Sequence, residues 1–180
     1  MGLIYNNRKE VIDFDPGCPI FVDGMNCANF QGQEFPFKEV DVTRMTDLSN
    51  FFKDCTYLRK TPLVKGYKEA YDGLFWGCEN LVDIRLTPAA DGIVALYTLP
   101  SLAITLAENI LNLSEEGLFL NFKNPIGDIV RVLYVPNETY DIMKSLEFNK
   151  INGKWVYADL AEGEINFKDY LETKKWLFAR

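Results

Sequence analysis

The chain has 180 residues, a formal charge of −7, 48% apolar and 14% aromatic residues, and no histidine. Length and composition suit a folded unit with a sizeable core and argue against disorder. The negative balance argues against a nucleic-acid partner, which needs clustered Lys and Arg, and against binding to an anionic membrane surface. No run approaches the ~20 apolar residues that a membrane-spanning helix requires. The first ten residues place their charges after a very short apolar run, the wrong order for a Sec signal peptide, so synthesis and initial retention in a cytoplasm are expected.

In chain order, residues 1–40 read as strands and turns. Residues 10–14 alternate and stop at Asp15-Pro16-Gly17, and residues 19–22 form a short apolar strand ending at Asp23-Gly24. Asp-Gly between apolar runs predicts a hairpin whose short second arm is residues 27–30. Thr46 or Asp47 is placed to cap a short helix over residues 48–53. Strands are expected at 58–63 and 81–86. Beyond Pro88, Leu99, Leu102, Leu106, Ile110 and Leu113 fall at helical spacing with Pro100 in the first turn. Strands at 118–122 and 129–135 flank a turn at 124–128, and Asn137 caps a helix to about residue 146. Asn152-Gly153 predicts a tight hairpin, and residues 167–177 form a last helix with Tyr170, Leu171 and Trp176 near one face.

Across this pattern lies an internal repeat. Phe52, Cys55, Leu58 and Leu63 recur as Phe75, Cys78, Leu81 and Leu86, each pair 23 residues apart. A period of 20–29 residues with Leu at fixed places and Cys near the turn marks leucine-rich repeats, whose units bury their apolar side only by stacking. The Phe-x-x-Cys-x-x-Leu unit resembles the BspA-type leucine-rich repeats. Residues 131–146, a strand closing in Tyr134-Val-Pro136 before a short helix, look like the ending of many such arrays. The expected fold is α/β, a short leucine-rich-repeat-like stack of strands and short helices with a β-rich N-terminal segment and a C-terminal helix. Three units follow: 1–40 as N-terminal strands and turns able to dock, 41–148 as the repeat-like domain, and 149–180 as a hairpin and helix.

Candidate chemistry is sparse. Without histidine, Ser-His and Cys-His catalysis and the commonest general base are removed, and no phosphate-binding glycine loop is present. Asp13-Phe-Asp15 lacks the acidic ladder of a cation loop and reads as a solvated turn, and Glu115-Glu116 as the polar end of a helix. Cys18, Cys27, Cys55 and Cys78 are too sparse for a disulfide scaffold and lack zinc-ligand spacing, so all four are expected as free thiols. No cofactor, metal or small-molecule substrate is expected.

The repeat strands offer the surface with a rationale. Leu81, Ile84 and Leu86 form the inward set, leaving Asp83 and Arg85 outward, with Lys60 as the matching position and Pro62 beside it. Polar strand faces of stacked repeats commonly bind partners. Lys60, Asp83, Arg85, Tyr170 and Trp176 are therefore the candidate binding residues, the last two as aromatic anchors. The expected function is non-enzymatic: a structural or interaction protein of a large assembly, docking on protein partners or on copies of itself. BspA-type repeats occur in phage tail and fibre proteins and in bacterial adhesins. The resemblance thus implies a phage virion component, made in the bacterial cytoplasm. The alternative is a bacterial leucine-rich-repeat binding module, cytoplasmic or at the cell surface by a non-Sec route, that recognises a protein or glycan.

Overall fold

The apolar alternation near the N-terminus forms a strand, β2 (Val11–Phe14), paired antiparallel with β1 (Leu3–Tyr5). This computed structural model describes residues 3–5, 11–14, 20–27, 30–65, 73–85, 92–113, 131–159 and 162–180. From residue 20 the chain winds in passes that run parallel to one another. Strand β3 (Glu39–Asp41) pairs in register with β4 (Leu63–Lys65), Val40 opposite Val64, and a bridge from Ile20 to Asp41 adds the preceding pass. A second ladder links Glu34 to Lys60 and Lys60 to Asp83 through parallel bridges. The Thr61 amide donates to Asp83 O (2.9 Å), the Asp83 amide to Arg59 O (3.0 Å) and the Val64 amide to Arg85 O (2.9 Å). The segments 58–63 and 81–85 therefore lie side by side and parallel, as the 23-residue offset predicts.

Equivalent positions meet in the interior. Phe52, Cys55, Leu58, Phe75, Cys78 and Leu81 are all buried, and the rings of Phe52 and Phe75 stack at 5.6 Å and 10°. Burial of each such Leu or Phe stabilises by roughly 1.5–3 kcal/mol. Each thiol reaches back to the previous pass: Cys55 Sγ donates to Cys27 O (3.3 Å) and Cys78 Sγ to Phe52 O (2.9 Å). Cys27, also buried, opens Cys27-Ala-Asn-Phe30, which keeps the spacing of Cys78-Glu-Asn-Leu81. An earlier pass thus carries a degenerate copy of the unit. Cys27, Cys55 and Cys78 are free, and Cys18 lies outside the described residues.

Two local expectations are corrected here. Residues 48–53 form tight turns and no helix. The amides of Phe52 and Asp54 donate to Leu74 O and Trp76 O of the next pass, so they are not available to carbonyls one turn back. Asn50 and Asp54 take φ of 64°, a conformation their side chains tolerate, and Gly73 and Gly77 repeat it one unit later at 78° and 80°. Asp23-Gly24 does turn, with the Met25 amide on Val22 O, but no hairpin arm returns. The Cys27 amide pairs instead with Phe51 O of the following pass.

Beyond residue 91 the architecture changes. Strands β5 (Gly92–Ala95), β6 (Arg131–Tyr134) and β10 (Leu177–Ala179) form a parallel sheet in the order β10-β6-β5. A 3-10 turn at Pro100–Leu102 leads into α1 (Ala103–Asn112), which buries Leu106, Ile110 and Leu111. Helix α2 (Asn137–Met143) follows β6, with Pro136 rather than Asn137 at its N-cap. Strands β7 (Glu147–Ile151), β8 (Lys154–Tyr157) and β9 (Ile165–Asn166) make an antiparallel sheet, and Asn152-Gly153 closes the expected hairpin with φ of 52° and 81°. Asn112 clamps that hairpin to α1, its Nδ2 donating to Trp155 O (2.9 Å) and its Oδ1 accepting from the Trp155 amide (2.8 Å).

The last helix, α3 (Phe167–Thr173), is shorter than the expected 167–177. Lys174 and Trp176 donate back to Leu171 O and Lys175 turns left-handed at φ 66°, which frees Leu177 to pair opposite Val132. The expected strand at 118–122 and the turn at 124–128 lie outside the described residues. The fold is α/β. One buried cluster runs through it, from Phe21 and Cys27 in the passes to Phe167, Leu171 and Trp176 near the C-terminus. Main-chain groups of the last pass are covered directly: Thr98 Oγ1 donates to Leu81 O (2.6 Å), Asn109 Nδ2 to Val82 O (2.9 Å) and the Leu99 amide to Glu79 O (2.9 Å). No helix among the described residues is long and apolar enough to cross a membrane.

Candidate binding face

The second ladder brings together three of the five expected binding residues. Parallel pairing sets Glu34, Lys60 and Asp83 abreast on successive passes, so their side chains project to one side. Lys60 Nζ lies 3.5 Å from Glu34 Oε1, and Arg85 Nε donates to Asp83 Oδ1 at 3.2 Å. Leu81 and Ile84 are inward as expected, but Val82 and Pro62 are buried as well, because the passes are too irregular for strict alternation. Leu86 lies outside the described residues.

Beside this row is a groove of about 340 Å³ lined by Glu34, Phe35, Lys38, Lys60, Thr61 and Arg85. Its base is packed. Phe35 is buried against Phe30 (4.2 Å between ring centres) and Phe52 (5.8 Å), and the Thr61 hydroxyl accepts the Arg85 amide at 2.7 Å. The charged rim is adaptable, since exposed ion pairs are worth about 0–1 kcal/mol and exchange partners at little cost. An apolar base with alternating charges above it can hold a polar, mixed-charge segment of a partner. Two carboxylates line it, Glu34, which pairs with Lys60, and Glu39.

Tyr170 and Trp176 are placed elsewhere. They are 8% and 3% exposed, and Leu171 is fully covered, all within the chain's own buried cluster. This corrects their reading as docking anchors: the apolar face of the last helix packs on the chain itself. Glu34, Phe35 and Lys38 belong to the face but were not expected there. The signal that finds them is Cys27-Ala-Asn-Phe30, the degenerate third copy of the unit.

A second, more open groove of about 770 Å³ runs along the turns past Asp23, Asp47, Lys53 and Asp54. Two of its carboxylates already serve the turns. Asp23 accepts from the Thr46 amide and hydroxyl (2.7 Å each), and Asp47 accepts from the Ser49 amide (2.9 Å). No group of residues fit to hold a metal ion occurs among the described residues. Burial pushes the Cys27 thiol well above its ordinary range, and a hydrogen bond with Cys55 together with burial does the same for Cys78, which favours the protonated thiol in both. No family model matches the chain, and neither a curated protein nor a solved structure is significantly similar to it.

Proposed function

We propose that this chain is a docking protein that binds a protein partner through the Glu34–Lys60–Asp83 row and catalyses nothing. The observation that carries the reading is the row itself, three side chains set abreast by parallel pairing beside a groove with a packed aromatic base. In this reading the passes are a short leucine-rich-repeat-like stack of the BspA type, which presents a strand face to partners. The recurrence of Phe, Cys and Leu at one offset, and the stacking of Phe52 on Phe75, support it. The absence of histidine from the sequence favours binding over catalysis.

The partner belongs to a multi-subunit assembly, and the BspA-type resemblance makes a phage virion the setting. The interface buries more than about 1,000 Å² in total, the size of specific contacts. Mass spectrometry of purified particles, followed by capture of particle proteins on the immobilised chain, tests both parts. Lys60→Glu with Arg85→Glu is expected to weaken capture at least tenfold. Capture indifferent to these changes refutes the face. Absence of the chain from particles, with capture of a bacterial protein instead, replaces the virion by a bacterial binding module.

A further inference from the structure

Two buried nucleophiles in the passes have no part in the binding face. Cys55 and Cys78 are 0% and 1% exposed and hold equivalent places 23 residues apart. The Phe52 amide donates to Leu74 O (3.1 Å) and the Asp54 amide to Trp76 O (2.7 Å), which holds the two passes abreast just ahead of both cysteines. Hydrogen-bonded neighbours lie about 4.8 Å apart, inside the Cα range of about 4.4–6.8 Å that a disulfide spans. Stacked copies of one side chain ordinarily point the same way and do not converge. These two are aimed differently. Cys78 Sγ donates to Phe52 O, ahead of Cys55 in the chain, whereas Cys55 Sγ donates to the carbonyl of Cys27 itself.

The Cys78 thiol is within hydrogen-bond reach of the Cys55 thiol. Cys27 has no thiol neighbour of this kind among the described residues, and burial alone raises it. Joining the sulfurs of Cys55 and Cys78 also leaves the interior satisfied. The two carbonyls that lose an S–H donor each keep a backbone donor, the Phe30 amide on Cys27 O (2.9 Å) and the Cys55 amide on Phe52 O (3.2 Å). No buried acceptor is orphaned by the change.

We propose that Cys55 and Cys78 are an oxidative modification site, a thiol pair that hydrogen peroxide converts into a disulfide between adjacent passes. One thiol, as its thiolate, takes an oxygen from the peroxide to become a sulfenic acid, and the first water leaves. The other thiol displaces the hydroxyl as the second water. Two S–H bonds and the O–O bond break, one S–S bond forms, and the electron pair lost by sulfur reduces the peroxide. Both sulfurs are covered, so the reaction waits on transient opening of a pass, and the bridge then holds the two passes together. The pair does not depend on the reading of the Glu34–Lys60–Asp83 row.

The test is treatment of the full native chain with hydrogen peroxide, followed by alkylation of the remaining thiols in denaturant. Before alkylation the product should be lighter by two hydrogens, and tryptic digestion should give residues 54–59 joined to residues 69–85. Its melting temperature should rise, and dithiothreitol should return it to the starting value. Cys27→Ala should keep the joined peptides and Cys55→Ala should abolish them. Should Cys55→Ala fail to fold, the wild-type digest decides alone. Oxygen gained separately at each sulfur, or a bridge that includes Cys18 or Cys27, overturns the inference. So does the same mixture of bridges as the urea-unfolded chain gives, or a bridged chain that melts no higher than the reduced one.

Discussion

Residues 20–85 and residues 92–180 reach one buried core by different means. In the first region regular elements are few: strands of three residues, single bridges and left-handed turns. Many of its backbone hydrogen bonds reach about two dozen residues along the chain, into the next pass. The second region has three helices and two three-stranded sheets among its described residues, and much of its bonding is local, within helices and the β7–β8 hairpin. Stability in the passes is therefore a nearest-neighbour property, and a lesion in one pass is felt by the adjacent one. The second region resembles an ordinary packed domain, where local helix and hairpin formation carries part of the cost of ordering.

The sharpest test of this contrast is a core truncation on each side. Leu81→Ala removes a side chain 1% exposed between two passes and should cost about 2–5 kcal/mol in urea unfolding. Leu106→Ala in α1 has the same expected range. The difference appears in native-state hydrogen exchange: Leu81→Ala should speed exchange of amides in the neighbouring pass, including Thr61 and Val64, whereas Leu106→Ala should spare them. Equal loss of protection in both variants breaks the comparison.

Next in size is Gly77→Ala. At φ of 80° a Cβ would be strained, and it would also collide with Asp54 Oδ1 of the preceding pass. A loss of about 1–3 kcal/mol is expected in thermal unfolding. Gly153→Ala, at φ of 81° with open space around it, should cost less, since only the backbone penalty applies. A larger effect at Gly153 would show that pass-to-pass contact is not what restricts Gly77.

The thiols give a smaller, pH-dependent effect. Cys27 and Cys78 titrate higher when folded than the ordinary thiol value of about 8.5. Below that value both states hold the proton and nothing is lost. As pH rises past it the unfolded chain releases protons first, so stability falls, by at most about 1.4 kcal/mol per pH unit for each thiol. Urea unfolding between pH 7 and 10 should show this decline, and Cys78→Ala should reduce its slope. An unchanged slope would mean that the stack does not hold the thiol protonated. Smallest of all is Lys60→Ala, expected to move stability by less than about 0.5 kcal/mol, because its pair with Glu34 is partly exposed.

How much of this was legible in the sequence differs by region for physical reasons. The offset of Phe, Cys and Leu predicted adjacent parallel segments, since identical positions must stack. The earlier copy escaped because Gly24 stands where Phe52 and Phe75 stand, and two extra residues separate Phe30 from Glu34. Leu48, Phe51 and Phe52 have helical spacing, yet the Phe51 carbonyl and the Phe52 amide serve neighbouring passes, which local pattern cannot reveal. The α1 periodicity and the Asn152-Gly153 turn are local signals, and both appear where expected. Tyr170 and Trp176 show the opposite limit: periodicity gives the apolar face of a helix but not which body covers it. The exposed Ile93 and Leu177 were not expected, because only the paired register of distant strands sets them on one face.

The contacts of Thr98, Leu99 and Asn109 with the last pass have a bearing on how such a chain can grow. Each is made to a main-chain carbonyl, at Leu81, Glu79 and Val82, and so reads backbone shape rather than side-chain identity. A duplicated 23-residue unit inserted ahead of residue 73 would present the same carbonyls to the same three donors. On the proposed repeat reading, the region after residue 91 would close the stack whatever side chains its last pass carries.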